Sequence, residues 1–268
     1  MTSESPENNP IYIIHHVPKT GGVSLRDWLA KHLGMYQGMA HYGVIGELVL
    51  RQNNLPYLEQ TPAAFREGIR LVMGHYVTAA TADFFPGRPP RRMVILREPV
   101  KRLISQYNHA MGFWCKTAGR PLISFHEWFE THAVESYDYR DAVRRDGLTP
   151  ENAILSQASL GPNFMGRFLA QNFREDAWAE LPTDEFVARI NELLETFWLV
   201  GITERLSDFA TVLGNALGIP ADVGHENKGQ DRTVYLEADD DLIEYIKQTN
   251  QADIAIYDYW KKKVESAA

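Results

Sequence analysis

Seven consecutive residues, Pro18-Lys19-Thr20-Gly21-Gly22-Val23-Ser24, carry the clearest chemical signal in the chain. Two adjacent glycines let backbone N–H groups approach a ligand closely, and a helix beginning there aims its positive N-terminus at the same spot. Lys19 adds a full charge; Thr20 and Ser24 add hydroxyl donors. The stretch has the chemistry of a phosphate cradle. It is not a Walker A loop, in which the lysine follows the glycines rather than preceding them. No strand ends in an obvious metal-binding Asp, so magnesium-dependent NTP hydrolysis is poorly supported.

The elements around the loop predict how it is held. Ile11 to Val17 is an apolar, β-branched run that reads as a buried strand. Beyond the glycines, Leu25, Trp28, Leu29 and Leu33 recur at helical spacing, and Gly34 stands at the C-terminal stop. Further strands are predicted over Arg70–Met73, Met93–Leu96 and Trp198–Ile202, with Pro86 to Pro90 as a proline-rich connector. Pro99 suits the first turn of a helix striped by Val100, Leu103, Ile104 and Tyr107. Helices are also expected over Thr183–Thr196, capped by Thr183, over Glu204–Leu217, and at 239–249 and 251–264. Alternating strands and helices predict an α/β fold, a parallel sheet flanked by helices in three layers. Residues 1–10 read as a disordered lead-in to a single domain over 11–268, with 112–180 as a helical insertion on the acceptor side.

Composition narrows the function classes. Hydrophobic residues make up 44% and charged residues 23%, ordinary for a globular protein. A net charge of −8 disfavours general binding to nucleic acid or anionic membrane, yet leaves room for a local basic pocket. Cys115 is the only cysteine, so no disulfide forms within the chain. With no signal-peptide pattern before Pro10 and no apolar stretch of membrane-spanning length, a cytoplasmic location is expected.

The segment HHVPKTGGVSL closely resembles the 5′-phosphosulfate-binding motif of the Golgi-type carbohydrate sulfotransferases and their bacterial relatives, the group containing heparan sulfate 2-O-sulfotransferase. MVILREPVKRLISQY resembles that family's 3′-phosphate motif and follows in the family's order. Weaker echoes are LVMGHYVTAATADFF, WLVGITERL and the pattern of Asn250, Asp253 and Tyr257, so the resemblance spans most of 11–260. It implies a P-loop-NTPase-like sulfotransferase fold. It also implies 3′-phosphoadenosine 5′-phosphosulfate (PAPS) as donor, its bisphosphate PAP as product, and no metal. Lys19 would contact the 5′-phosphate and the bridging oxygen. Thr20, Gly21, Gly22, Val23 and Ser24 complete the expected phosphosulfate loop, largely through backbone N–H groups. Arg97 and Ser105 would bind the 3′-phosphate; one lies at a strand end and the other about two turns into the next helix, so both could face one nucleotide. Lys228, in a polar loop over 222–233, would stand near phosphate if that loop folds over the nucleotide; a solvated loop is the competing reading. Relatives usually carry Thr where this chain has Val23, and Asp where it has Glu98, so one side-chain donor is missing.

Sulfuryl transfer to a hydroxyl needs a group to take the acceptor proton, and a neutral histidine suits that role. Of nine histidines, His75 is the candidate base. It follows a predicted strand end on the Lys19 edge of the sheet, beside Gly74, and GHY resembles the family's catalytic stretch. His75 and Lys19 are therefore the candidate catalytic pair. His16 is expected to support the loop, and His41 and His109 are possible acceptor contacts. Glu204 and Arg205 are expected to pair around a helix start. The acceptor itself is expected to be a sugar-containing hydroxyl, with a small natural-product hydroxyl as the alternative. Trp114, Trp128 or Tyr137 could stack on it, and Arg88, Arg91 and Arg92 could attract an acidic one or be a solvated connector. The other classes are a P-loop kinase and a non-catalytic nucleotide binder.

Overall fold

The computed structural model describes residues 9–34, 39–42, 63–75, 77–113, 121–133, 161–224 and 238–267. Strand β1, Ile11–His15, is buried at every position, as its unbroken apolar run requires of a strand covered on both faces. Helix α1, Gly22–Leu33, follows, and Gly34 stops it with φ 76°. Strand β2 is Met39–Tyr42, helix α2 Ala63–Gly68 and strand β3 Leu71–Gly74. Strand β4, Pro90–Leu96, leads into helix α3, Pro99–Phe113. Helices α4, Phe125–Ala133, and α5, Phe164–Asn172, precede α6, Thr183–Glu195. Strand β5, Leu199–Ile202, is followed by α7, Leu206–Leu217, then α8, Asp240–Thr249, and α9, Gln251–Ser266.

The five strands pair in the order β2-β3-β1-β4-β5, all parallel. Alternation along each strand sorts the two faces. Tyr12, Ile14, Met73, Met93 and Ile95 pack with α1 and α7, through Leu25, Trp28, Phe209 and Leu213. Val94, Leu96, Val200 and Ile202 pack on the opposite face with α5, α6 and α9. Three layers result, as the strand and helix alternation predicts. The β1–α1 and β4–α3 connections both leave the C-terminal edge of this sheet, the usual position for ligands in open α/β sheets.

Several details differ from the sequence reading. The edge strand β2 was not predicted: four residues without alternating pattern give no period to detect. Pro90 belongs to β4 as its first residue, where a missing N–H costs little. Thr183 is the first residue of α6, and Pro182 occupies the cap position without a side-chain bond. The described parts of 112–180 are helical but serve different layers. Helix α4 builds a separate core with α3 and α8, whereas α5 packs beneath the sheet. Among the described residues no helix is long and apolar enough to cross a membrane.

A buried polar joint locks α5 to α9. Asn163 N–H donates to Asn250 Oδ1 (3.0 Å), and Asn163 Oδ1 accepts from Ala252 N–H (2.9 Å). The Asp253 carboxylate accepts from Met165 N–H (2.8 Å) and Gly166 N–H (2.9 Å), satisfying the first turn of α5. Arg102, fully buried on α3 with its guanidinium over the Phe164 ring at 4.8 Å, lies in the field of Asp253. Burial pushes Arg102 down to about 10 against the pull of Asp253. Burial likewise raises the Asp253 carboxyl, opposed by Arg102 and the two N–H groups. Asn250, Asp253 and Tyr257 thus form a structural seam. Tyr257 continues it: burial, then the Glu204 charge, raises its hydroxyl above the usual tyrosine range.

Candidate functional site

The loop after β1 is held in a shape few sequences tolerate. Lys19 takes φ 70° and Gly21 φ 85°, both left-handed. A glycine bears the second at no steric cost, whereas Lys19, with a side chain, is strained there. Thr20, only 1% exposed, donates its hydroxyl to the Val17 carbonyl (2.8 Å). That proton is spent on shaping the loop, so the hydroxyl expected to reach a ligand is a loop fastener instead.

Helix α1 opens without an acidic residue in its first turn and without a side-chain cap. Its first intrahelical bond runs from Leu25 N–H to the Gly21 carbonyl (3.2 Å), leaving the N–H groups of Gly22, Val23 and Ser24 ahead of the ladder. Ser24 is buried at the loop, while Val23 is 44% exposed. An anion seated here would meet three N–H groups and the helix dipole.

Gly22 is a glycine for an unforeseen reason. A Cβ at this position would fall 1.7 Å from Nε2 of His16, whose ring fills that space. The same ring stacks on His75, with centroids 4.2 Å apart and planes at 26°. His75, half-buried just beyond β3, places Nδ1 2.7 Å from the His16 carbonyl. A carbonyl only accepts, so Nδ1 carries the proton and Nε2 keeps its lone pair. Burial, reinforced by the Lys19 charge and opposed by the carbonyl, pushes His75 down to about 4. At neutral pH it is an uncharged imidazole with a free basic nitrogen.

Positive charge gathers opposite it. Burial, then the Arg97 charge, lowers Lys19 to about 8. Arg97, at the end of β4, donates from Nη1 to the Lys19 carbonyl (2.9 Å) and so joins the two sequence motifs directly. Glu98 accepts from Val100 N–H (3.1 Å) and Lys101 N–H (2.8 Å), capping α3. Ser105, half-buried, follows about two turns along that helix. His109, one turn further, is exposed along part of its surface. Crowding at the cleft and the Lys19 charge nevertheless push it down to about 4. From the β5 side, Thr203 donates to the Leu96 carbonyl (3.1 Å), and Leu206 lies 3.4 Å from where a Gly21 Cβ would stand.

The structure therefore brings Lys19, Thr20, Gly21, Gly22, Val23, Ser24, His75 and Arg97 to one edge, and Ser105 stands about two turns along the helix that starts there. Lys228, Trp114 and Tyr137 lie outside the described residues, and of His41 only the backbone is described. Four expected acceptor contacts are corrected. Trp128 is 0% exposed and packs edge-on to Tyr107 at 5.4 Å in the α3–α4–α8 core, where no acceptor reaches it. Arg88 donates to the carbonyls of Asn9, Pro10 and Ile69, buttressing the N-terminal edge of the sheet. Arg91 bonds the Tyr12 hydroxyl (3.0 Å) and covers the Trp198 ring. Arg92 lies over Phe173. These side chains belong to the sheet edge opposite the Lys19 loop. Around the start of α7, Arg205 pairs with Asp208, and Glu204 lies 3.9 Å from the Lys101 ammonium.

His15 is the other buried histidine, packed between Phe173 and Phe197. Burial, then Arg92, lowers it to about 3; the Val77 backbone acts the other way without reaching hydrogen-bond geometry. It is a core residue. Among the described residues no group of three or more His, Cys, Asp or Glu side chains could hold a metal ion.

No protein-family model matches the chain, and no curated protein matches it.

Proposed function

We propose that the protein is a PAPS-dependent sulfotransferase with a P-loop-like fold, acting on a hydroxyl of a carbohydrate or glycan. The observation that carries this reading is the bond from Arg97 to the Lys19 carbonyl, which sets two cationic motifs side by side at one sheet edge. A donor with phosphate at both ends of an adenosine needs two anion sites at such a spacing. The N–H groups of Gly22, Val23 and Ser24 with Lys19 supply the 5′ site; Arg97 and Ser105 supply the 3′ site. Lys228 is assigned by resemblance to the same nucleotide.

In the reaction, His75 Nε2 takes the acceptor proton as the acceptor oxygen bonds to sulfur. The bond from sulfur to the bridging oxygen breaks in line, and PAP leaves with the negative charge. Lys19 meets that charge as it develops. The sulfuryl group needs no metal on this route. The lone cysteine supports a cytoplasmic site of action. A small natural-product hydroxyl would be handled by the same groups.

PAP added without metal should raise the melting temperature, and radiolabelled PAPS should transfer label to a member of an acceptor panel spanning sugars and phenols. Stabilisation by ATP with magnesium and none by PAP would replace this reading with a kinase-type one.

A further inference from the structure

The His16 ring touches two parts of the site that the chemistry uses separately. On one side it occupies the position a Gly22 Cβ would take, 1.7 Å from Nε2. On the other it stacks on the His75 imidazole, with centroids 4.2 Å apart and planes at 26°. Its backbone carbonyl, in addition, receives His75 Nδ1–H. His16 is itself buried, so its ring has little room to turn away from either neighbour. The hydrogen bond alone fixes one atom of His75 and leaves the ring free to rotate about it. The stacked face fixes the plane, and therefore the direction in which Nε2 points.

We propose that His16 is a positioning residue for His75, and that through Gly22 it ties the orientation of this base to the shape of the anion loop. The proposal rests on the site reading above in taking His75 as the base. The role assigned to His16 is exercised through its two neighbours, Gly22 and His75. Gly22 and the His16 ring then share one space: bulk added at Gly22 disturbs both the loop and the ring, whereas loss of the ring releases the base. A misplacement of about 1 Å at a reacting group costs about 10²-fold in rate, so holding this plane is consequential.

The test uses the full chain, PAP as the probe, and ¹⁵N-histidine NMR of His75. Wild type is expected to show a single tautomer protonated at Nδ1, before and after PAP is added. His16→Ala keeps the carbonyl but removes the stacked face, so the His75 ring can turn Nδ1 away from it and shift toward a tautomer mixture. With Gly22 unchanged, PAP affinity should stay within a few-fold. Gly22→Ala should weaken PAP by about tenfold or more, because the new Cβ and the ring compete for one space and the loop donors lose alignment. The double variant His16→Ala with Gly22→Ala should recover PAP binding without recovering the single tautomer. A purely structural role would lower stability but leave the tautomer unmoved.

Unchanged His75 signals in His16→Ala, or wild-type PAP affinity in Gly22→Ala alone, would overturn the proposal. If His16→Ala does not fold, His16→Leu fills the volume without a stacking plane and is expected to give the same tautomer shift. Should wild type fail to bind PAP, the donor assignment falls, and the tautomer comparison still decides the role of His16.

Discussion

His75 gives its Nδ1 proton to the backbone carbonyl of His16 across 2.7 Å, so residues from two neighbouring strand ends define the protonation of one imidazole. β1 and β3 are paired in register from Tyr12 with Leu71 to His15 with Gly74, which brings the following residues, His16 and His75, together. The bond selects the tautomer in which Nε2 is free, and burial keeps that ring neutral.

Replacing His75 by Ala should lower kcat by about 10²–10⁴, the usual span of general-base help. PAP binding, read from thermal shift or calorimetry, should change little. A collapse of PAP binding would show that the ring supports the loop rather than the proton transfer.

Arg97→Ala should act on the donor more than on turnover at saturation. The expected outcome is weaker binding of PAP and lost discrimination against adenosine 5′-phosphosulfate, the donor lacking the 3′-phosphate. Competition binding with the two nucleotides measures this ratio. Since Arg97 also holds the Lys19 carbonyl, Arg97→Lys should recover only part of the binding: an ammonium replaces the charge but not the planar fork.

The affinity for PAP should depend on pH through Lys19. In the free protein its ammonium is destabilised by burial and by Arg97, which lower it to about 8. A bound phosphate favours the charged form, and binding above that pH must be accompanied by proton uptake. Affinity is expected to be flat from pH 6.5 to 7.5 and to fall by up to about tenfold per unit above 8. Calorimetry in buffers of different ionisation enthalpy would reveal the uptake. Lys19→Met should bind more weakly and lose this dependence.

Asp253→Ala should destabilise the fold without touching the donor site. It leaves Met165 N–H and Gly166 N–H without their acceptor and Arg102 without its counter-charge in a fully buried place. Each buried N–H left without its acceptor costs about 1–3 kcal/mol, so the loss falls mainly on these two bonds. Urea unfolding should show the midpoint falling. Asp253→Asn, which keeps one acceptor oxygen, should lose less.

The sheet was legible because its strands are covered on both faces and read as apolar runs. Ile11–His15, Leu71–Gly74 and Leu199–Ile202 lie within a residue or two of the expected spans. Strand β2 was not legible, being a short edge strand whose pairing comes only from β3. The aromatic-rich stretch around Trp128 misled for a related reason. Aromatic content marks a core and a ligand cleft equally well, and only packing tells them apart. The basic run from Arg88 to Arg92 similarly looked available for an anion until backbone carbonyls and aromatic rings were found to occupy it.

By itself the sequence determined the parallel α/β plan and the chemical character of the loop from Pro18 to Ser24, because strand runs, helix stripes and glycine turns are local signals. Tertiary structure alone decided which groups in that loop are free. Thr20 turns its hydroxyl back on Val17, Arg97 reaches the Lys19 carbonyl, and the His16 ring claims the space over Gly22. Each is a contact of direction and volume between side chain and backbone. Residue order prescribes who can meet; the register of parallel strands and the packing of buried rings set who does.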